Sequence, residues 1–536
     1  MLRRHFACLG LIVLGLCGCT PRETPVTAGI RTHTLLVGNA AEPGDLDPHL
    51  ASILTDQIII NTLFEGLTAL DEQTTKPVPA AAESWSVSDD GLTWTFRLRE
   101  NLKWSNGEPL VAADFVTAWL RALNPTFAAD NAWYLFALKN AEAYNAGEIT
   151  DASAVGIHAP DDHTLILTLE RPTPYLPALV SLPAWFPLNP RNLEKFDALD
   201  QRGRPWTRPG NLISNGAYQL ASWQPNARIV LDKNPHHRDA ATAQLEHIVF
   251  LPIEKPDDEE RNYRAGQIHV TFNLPVTKIA TWRARAPEQL RIDSLLQSNF
   301  IRFNTTRAPF NDPRVRRALS LAIDRALLAE SVLQSSRLPA ASLTPPHTGG
   351  YAAPDTVKLN VTQARTLLAE AGFANGHGLP AIELMVRNDE IMPRLAEAIQ
   401  AMWKNALGVE VSISQAEQKI WIQNQQTLSY TICLSAWTAD FPDPISFLEL
   451  FLAGGSYNWT GWTNERYDAL LDQAAVTGDE SKRFALLHEA EAVLLDEAPI
   501  APLYFGAQTY LLHPSVKGWT PAPLGFRRFQ LISLTE

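Results

Sequence analysis

The fold of this chain is decided first by the stretch Asp90-Gly91-Leu92-Thr93-Trp94-Thr95-Phe96-Arg97-Leu98-Arg99, which follows Trp85-Ser86-Val87-Ser88. Apolar and polar residues alternate from residue 93 to 98, which is typical of a strand with one buried face. An Asp-Gly pair between two such runs is a strong signal for a tight turn. The sequence therefore predicts a β-hairpin here.

Strand and helix patterns alternate on both sides of this hairpin. A short apolar run at residues 34–38 predicts a buried strand, and apolar spacing predicts a helix over residues 112–123. Further on, helices are predicted over 361–371 and 393–406, followed by a strand at 409–413. The class is therefore α/β. The 536 residues exceed the size at which one core stops growing, about 250–300 residues, so we expect more than one domain.

The composition excludes two classes of protein. Lys and Arg number 45 against 58 Asp and Glu, a net charge of −13, which argues against a nucleic-acid partner. Hydrophobic residues make up 46% and charged residues 19%, so the chain is not intrinsically disordered.

The N-terminus has the pattern of a secretory signal. A start that contains Arg3 and Arg4 precedes an apolar run at 6–16 that is too short to span a membrane, and Leu16-Cys17-Gly18-Cys19 resembles a bacterial lipobox. The resemblance implies cleavage after residue 18, lipid on Cys19 and tethering to a membrane, with residues 19–30 as a flexible tether. The alternative is a buried N-terminal helix. Cys433 would then be a solitary thiol, best buried, with no disulfide framework or cysteine-based zinc site.

The whole chain from about residue 34 resembles the oligopeptide- and dipeptide-binding proteins that deliver solutes to ABC importers. The matching stretches, in the order of that family, are EPGDLDPH (42–49), LFEGL (63–67), AESW (82–85), DGLTWTFRLR (90–99), KWSNGEP (103–109), ADFV (113–116), SNGAY (214–218), FNDPRVR (310–316) and TPP (344–346). A collinear set of this length is specific to the family, though not to one ligand.

The resemblance implies a two-lobed periplasmic-binding-protein fold with an extra inserted domain, in which a hinge closes the lobes over a ligand. Domain I would be discontinuous, comprising residues 31–63, 189–296 and 506–536. Domain II would span residues 64–188 and domain III residues 297–505. Closure of two lobes excludes water from a ligand, and this strengthens each polar contact.

The resemblance also implies ligand-binding residues. Asp440 matches the aspartate that holds the ligand's α-ammonium group, whereas residue type alone would make it a loop residue before proline. Trp437, beside it, is either core or a wall of the cleft. Asn273 matches an asparagine that bonds a peptide backbone, although a capping role is the alternative, and Tyr134 is a candidate by position.

The chain departs from this family where its relatives place basic groups for the ligand's carboxylate. Those positions are Leu333, Met392 and Leu434, and an upstream tryptophan and arginine become Gln418 and Gln425. The family's disulfide positions are Gln297 and Thr438. Either another base such as Arg387 binds the carboxylate, or the carboxylate is solvated, or the ligand is not a free oligopeptide.

The predicted function is that of a lipid-anchored, monomeric solute-binding protein, in the periplasm or at the cell surface, that captures peptides for an ABC permease with its ATPase subunits. One alternative is another solute, such as a murein peptide, a nickel chelate or haem. The other is a surface receptor or chaperone-like protein without transport. We expect no enzymatic activity, cofactor or metal, since the sequence contains no nucleophile elbow and no His-Glu-x-x-His motif.

Overall fold

The computed structural model describes residues 23–51, 53–389 and 391–536. The predicted signal segment and Cys19 therefore lie outside the described residues. The chain enters the structure in a helix over Pro25–Thr32, which Thr24 caps by accepting from the backbone N–H of Thr27. Here the structure differs from the predicted tether, because Val26 and Gly29 are buried on this helix.

The helices are short and spread along the whole chain. They are α1 (Pro25–Thr32), α2 (Leu54–Leu63), α3 (Ala112–Leu123), α4 (Ala141–Asn145), α5 (Leu176–Leu179), α6 (Pro190–Lys195), α7 (Pro256–Arg264), α8 (Ile279–Arg285), α9 (Pro313–Leu321), α10 (Arg325–Ser331), α11 (Val361–Glu370), α12 (Met392–Leu407), α13 (Gln418–Gln426), α14 (Ile445–Leu448), α15 (Glu465–Ala475) and α16 (Glu480–Glu497). None of these helices has both the length and the apolar character that crossing a bilayer requires.

The strands form sheets of very different size. They are β1 (Thr34–Gly38), β2 (Thr68–Leu70), β3 (Pro77–Pro79), β4 (Ala82–Val87), β5 (Thr93–Leu98), β6 (Ile157–Asp161), β7 (Thr164–Thr168), β8 (Tyr218–Gln224), β9 (Arg228–Lys233), β10 (His247–Leu251), β11 (Leu290–Phe303), β12 (Leu338–Pro339), β13 (Ile382–Arg387), β14 (Val411–Ala416), β15 (Ile432–Thr438), β16 (Ile500–Leu511), β17 (Val516–Lys517) and β18 (Ser533–Leu534).

The hairpin predicted around residue 90 is confirmed: β4 and β5 are antiparallel and form one sheet in the order β4-β5-β7-β6. Trp94 and Phe96 on β5 are buried, and their stacked rings lie 6.3 Å apart between centroids. A second four-stranded sheet has the order β1-β10-β9-β8. Both sheets pack into one hydrophobic core, which extends to Tyr510 and Leu534 near the C-terminus.

The six-stranded sheet, in the order β12-β16-β11-β15-β13-β14, builds the other half of the molecule. Its two faces carry separate cores, one around Ile301 and Leu434 and one around Phe300 and Phe447. The sheet mixes parallel and antiparallel pairs. This arrangement agrees with a two-lobed α/β fold, while the three domain boundaries stay a prediction.

Two long antiparallel strands connect the halves. β11 and β16 pair from Leu290↔Leu511, beside a small core around Trp282, to Arg302↔Ile500, inside the six-stranded sheet. Their register shifts between Ser294 and Ser298. The ladder between the two halves is therefore interrupted in the middle of both strands.

Candidate functional site

The loop of residues 439–444, called the Asp440 loop below, follows β15 directly. Its conformation is fixed by Ser446, whose hydroxyl accepts from the backbone N–H of Asp440 at 3.2 Å. The backbone carbonyl of Ser446 accepts from the indole N–H of Trp437 at 2.8 Å. A third bond, from the N–H of Ala439 to the carbonyl of Leu296 at 2.7 Å, joins the loop to β11.

Two further contacts hold the end of this loop. Both carboxylate oxygens of Asp443 accept from the guanidinium of Arg483 on α16, at 2.6 and 2.7 Å, and both side chains are buried. The ring of Phe441 stacks on Tyr175 with a centroid distance of 5.0 Å and an interplanar angle of 8°. The carboxylate of Asp440 is thus presented from a rigid support, as a binding group requires.

Asp440 receives one hydrogen bond from a distant part of the chain. The hydroxyl of Tyr134, in the short turn after α3, donates to Oδ1 of Asp440 at 2.9 Å. Burial raises the pKa of Asp440 to about 6, an effect that this hydrogen bond only partly offsets. Within the described residues no Lys, Arg or His forms an ion pair with Asp440. The carboxylate is therefore desolvated, and no cation among the described residues balances its charge.

Asp440 and Tyr134 lie on the wall of a cavity of about 320 Å³. This volume is at the lower end of the range for small-ligand sites. The remaining polar residues of its wall are Gln57, Asn131, Gln297 and Thr438. Its apolar residues are Leu54, Leu182, Pro183, Ala184, Leu295, Ala439, Pro523, Leu524 and Phe526. The wall therefore combines residues from both halves of the molecule.

The outer edge of β15 is open beside this cavity. Among the residues that the structure describes, β13 pairs with β15 at Ile432 and Cys433 only, and no strand neighbours the last residues of β15 on that side. Backbone groups of successive strand residues point to opposite edges. Because Ala439 bonds to β11, the N–H and C=O groups of Ala436 and Thr438 point outward. An extended ligand can pair with these groups as an added strand.

The structure brings together three of the five residues predicted to bind ligand. Asp440 and Tyr134 share the cavity, and Trp437 lies beside them, half-buried, with its ring 5.3 Å from that of Tyr457. Asn273 and Arg387 are not among the residues of this wall.

Both of the other candidates have partners elsewhere. The backbone N–H of Asn273 donates to Glu259 at 3.0 Å. Arg387 forms an ion pair with Asp389 at 2.8 Å, at the end of β13. Gln57 and Asn131 of the cavity wall were not singled out in the sequence. Nothing in the local sequence marks either residue, because contacts between segments far apart in the sequence bring both residues to the cavity.

The structure also shows where the residues lie at which this chain departs from the family that it resembles. Gln297 and Thr438 are direct partners across β11 and β15, and the amide of Gln297 donates to the hydroxyl of Thr438 at 2.9 Å. Leu333, Met392 and Leu434 are buried in the core on one face of the six-stranded sheet. These three side chains therefore pack as ordinary core residues.

Comparison with known proteins gives a consistent result. Residues 76–459 match the family model described as bacterial extracellular solute-binding proteins, family 5 Middle. The chain is 36% identical to the probable deoxycholate-binding periplasmic protein YgiS of Escherichia coli, over 93% of this chain and 92% of that protein. It is 33% identical to the periplasmic oligopeptide-binding protein OppA of Salmonella typhimurium, over 97% and 96%.

Among solved structures, the chain is similar to the unliganded open form of the periplasmic murein tripeptide binding protein MppA. The TM-score is 0.85 at 33% sequence identity, and the match covers 94% of this chain and 97% of that one.

Proposed function

Because the chain belongs to the bacterial extracellular solute-binding proteins of family 5, we propose that it captures peptides outside the cytoplasm and delivers them to an ABC importer. The name of its relative from Salmonella, a periplasmic oligopeptide-binding protein, supports this choice of solute and a periplasmic location. We propose no catalytic step, since a solute-binding protein releases its ligand unchanged.

The observation that carries this proposal is the unbalanced carboxylate of Asp440. Its Oδ1 is engaged by Tyr134, and its position on the cavity wall leaves it accessible to a ligand. The α-ammonium group of a peptide supplies the cation that the described part of the chain does not provide. Truncating one partner of such a buried charge pair typically costs about 2–5 kcal/mol.

The open edge of β15 supplies the second part of the recognition. A peptide whose amino end lies at Asp440 can run along β15 and bond to the outward backbone groups of Thr438 and Ala436. Main-chain bonds do not depend on the side chains of the ligand. We therefore propose broad tolerance of peptide sequence, with side chains accommodated in hydrated space.

The partners follow from this role. We propose that the protein acts as a monomer with a permease and its ATPase subunits, and that lipid on Cys19 anchors it to a membrane. Metabolic labelling with a palmitate analogue tests the anchor: Cys19→Ala should abolish incorporation of the label and release the protein from membranes.

The proposed function is tested by native mass spectrometry of the protein as purified, followed by denaturation to identify any retained ligand. A series of peptide masses would support the proposal. A single defined non-peptide mass, such as a bile acid, a nickel chelate or haem, would overturn it.

Calorimetry of the ligand-free protein gives an independent test, with a tripeptide and its N-acetylated form. The free amine should bind and the acetylated peptide should bind much more weakly. Equal binding of the two forms would remove the role proposed for Asp440.

A further inference from the structure

Thr75 has a backbone conformation that its side chain disfavours. It lies in the loop between β2 and β3, and its φ is +59°. A β-branched residue is an outlier in this left-handed region, which glycine adopts at little cost. Strain of this kind persists only where the surrounding structure imposes it, and it is concentrated at functional positions. The contacts that Thr75 makes therefore indicate what holds it in this conformation.

The hydroxyl of Thr75 reaches the other half of the molecule. Thr75 is 3% exposed, and its Oγ1 lies 2.8 Å from the carbonyl oxygen of His347 and accepts from the N–H of Gly349 at 3.1 Å. Leu70, at the end of β2, packs against the core that the two four-stranded sheets share. Tyr351, which follows the turn at Gly349, is buried in a core of the six-stranded sheet. The hydroxyl of Thr75 therefore joins the two halves.

The turn at Gly349 packs directly on the Asp440 loop. Gly349 has a φ of +61°, and a Cβ atom added to it would lie 2.4 Å from the carbonyl oxygen of Pro442. Only a glycine allows this close approach of two backbones. Thr75 binds the N–H of the same residue that touches Pro442. Two successive contacts therefore connect Thr75 to the loop that presents Asp440.

The loop that carries Thr75 is fixed by its own hydrogen bonds. The carboxylate of Asp71 accepts from the backbone N–H of Gln73 at 3.2 Å and from that of Thr74 at 2.8 Å. The N–H of Thr75 donates to the carbonyl of Asp71 at 2.8 Å. Side-chain bonds of this type stabilise a turn without help from a neighbouring strand. Thr75 is therefore held on a well-defined support.

Glu72 joins the same loop to a wall of the cavity. Its carboxylate accepts from the backbone N–H of Arg528 at 2.6 Å and from the hydroxyl of Thr520. The segment between these two partners contributes Leu524 and Phe526 to the cavity wall. The loop between β2 and β3 therefore contacts the site at two places, through Glu72 at this wall and through Thr75 behind the Asp440 loop.

The hydrogen bond between Tyr134 and Asp440 depends on how the two halves fit together. Tyr134 packs against the core that the two four-stranded sheets share, whereas Asp440 follows a strand of the six-stranded sheet. Tyr175, on which Phe441 stacks, packs against that same shared core. The contact of Thr75 with the turn is a further link between the halves beside the Asp440 loop. A shift of this turn would therefore move Asp440 relative to Tyr134.

We propose that Thr75 is a positioning residue for peptide capture: through the turn at Gly349 it seats the Asp440 loop, so that the carboxylate of Asp440 faces the amino end of the ligand. This inference rests on the proposed function in peptide capture. Thr75 is not among the residues of the cavity wall, so it acts through the loop and not on the ligand. The neighbouring ion pair of Lys76 and Glu480, at 3.4 Å, is exposed and contributes little.

Calorimetry on the full-length, ligand-stripped protein tests this inference with trialanine and N-acetyl-trialanine. The variants Thr75→Ser and Thr75→Ala differ from each other by one hydroxyl, and neither is β-branched. Thr75→Ser should keep the wild-type ratio of the two affinities. Thr75→Ala should bind trialanine at least fivefold more weakly and leave the affinity for the acetylated peptide unchanged, because that peptide has no ammonium group for Asp440 to bind.

Thermal melts separate a positioning role from a merely structural one. Thr75→Gly also lacks the hydroxyl, but it removes the left-handed strain, so it should melt at a higher temperature than Thr75→Ala. Its affinity for trialanine should nevertheless be as low as that of Thr75→Ala. Gln73→Ala is the matched control, since it changes an exposed residue of the same loop and should keep the wild-type ratio.

Three results would overturn this inference alone. They are a wild-type ratio in both Thr75→Ala and Thr75→Gly, an equal loss of affinity for the two peptides in Thr75→Ala, and an affinity that recovers in Thr75→Gly together with the melting temperature. A wild type that binds the two peptides equally would remove the role of Asp440 and this inference with it. A wild type that binds no peptide would overturn the proposed function as well.

Discussion

Replacement of Asp440 by asparagine tests the candidate site most directly. Asparagine keeps the size of the side chain and can still accept a hydrogen bond from the hydroxyl of Tyr134, but it removes the charge. The loss of a buried charge pair, about 2–5 kcal/mol, corresponds to roughly 30-fold to several-thousand-fold weaker binding of a peptide.

The pH dependence of binding follows from the raised pKa of Asp440, about 6 in the ligand-free protein. An ammonium group pairs with the ionised carboxylate, so affinity falls as the pH drops through this value. Between pH 7 and pH 5 the wild type should lose about tenfold in affinity, and Asp440→Asn should show no such loss.

The stability of the ligand-free protein should change with pH in the opposite sense to its affinity for a peptide. A folded-state pKa of about 6, above the ordinary value of 3.8, means that stability falls as the pH rises from about 4 to 6, and that the full cost of the ionised carboxylate is present above about pH 6. This cost has an upper bound of about 3 kcal/mol. Asp440→Asn should therefore be more stable than the wild type at pH 7, and the two should converge near pH 4.

The assay is calorimetry of ligand-stripped protein with one tripeptide at pH 5, 6 and 7, accompanied by thermal melts without ligand. Glu449→Gln is the control, because burial also raises the pKa of Glu449, to about 7, so that this carboxyl group titrates in the same pH range. The control should keep the pH slope of the wild type. Equal affinity of wild type and Asp440→Asn, with the same slope, would refute the reasoning.

Three other predictions concern the support of the site. Asp443→Ala leaves the guanidinium of Arg483 buried and unpaired, so chemical denaturation should show a loss of about 3–5 kcal/mol; a loss below 1 kcal/mol would contradict a buried pair. In the double variant Gln297→Cys and Thr438→Cys, the two cysteines should oxidise to a disulfide between strand partners, seen as a mass decrease of two hydrogens. Free thiols after treatment with an oxidant would contradict the register. Cys433, fully buried with its pKa raised to about 12, should react with a thiol reagent only after denaturation, and fast labelling of native protein would exclude that burial.

Elements with strong local signals were predictable from the sequence. The hairpin at residue 90 has alternation and an Asp-Gly turn, and the helix predicted over 112–123 is found as α3 at Ala112–Leu123. The tether was predicted too long, because the signals for α1 are a single capping threonine and one proline, which are weak without the tertiary contact that buries Gly29. Local sequence patterns thus predict helices and strands but not how these pack against one another.

The candidate site was predictable only where its residues lie in one motif. Trp437 and Asp440 are three residues apart, so matching the motif found both, whereas the approach of Tyr134 to Asp440 depends on folding across 306 positions. The sequence offers Arg387 as one possible base for the carboxylate of a ligand, whereas in the structure it pairs with the aspartate two residues later.

The interruption in the ladder of β11 and β16 has a consequence for how capture is sensed. The carbonyl of Leu296, inside the interrupted stretch, accepts the N–H of Ala439, the residue next to Asp440. The interrupted stretch of the two connecting strands and the place where the ammonium group of a ligand would bind are therefore joined by one hydrogen bond. A ligand bound at Asp440 would lie next to the residue that makes this bond.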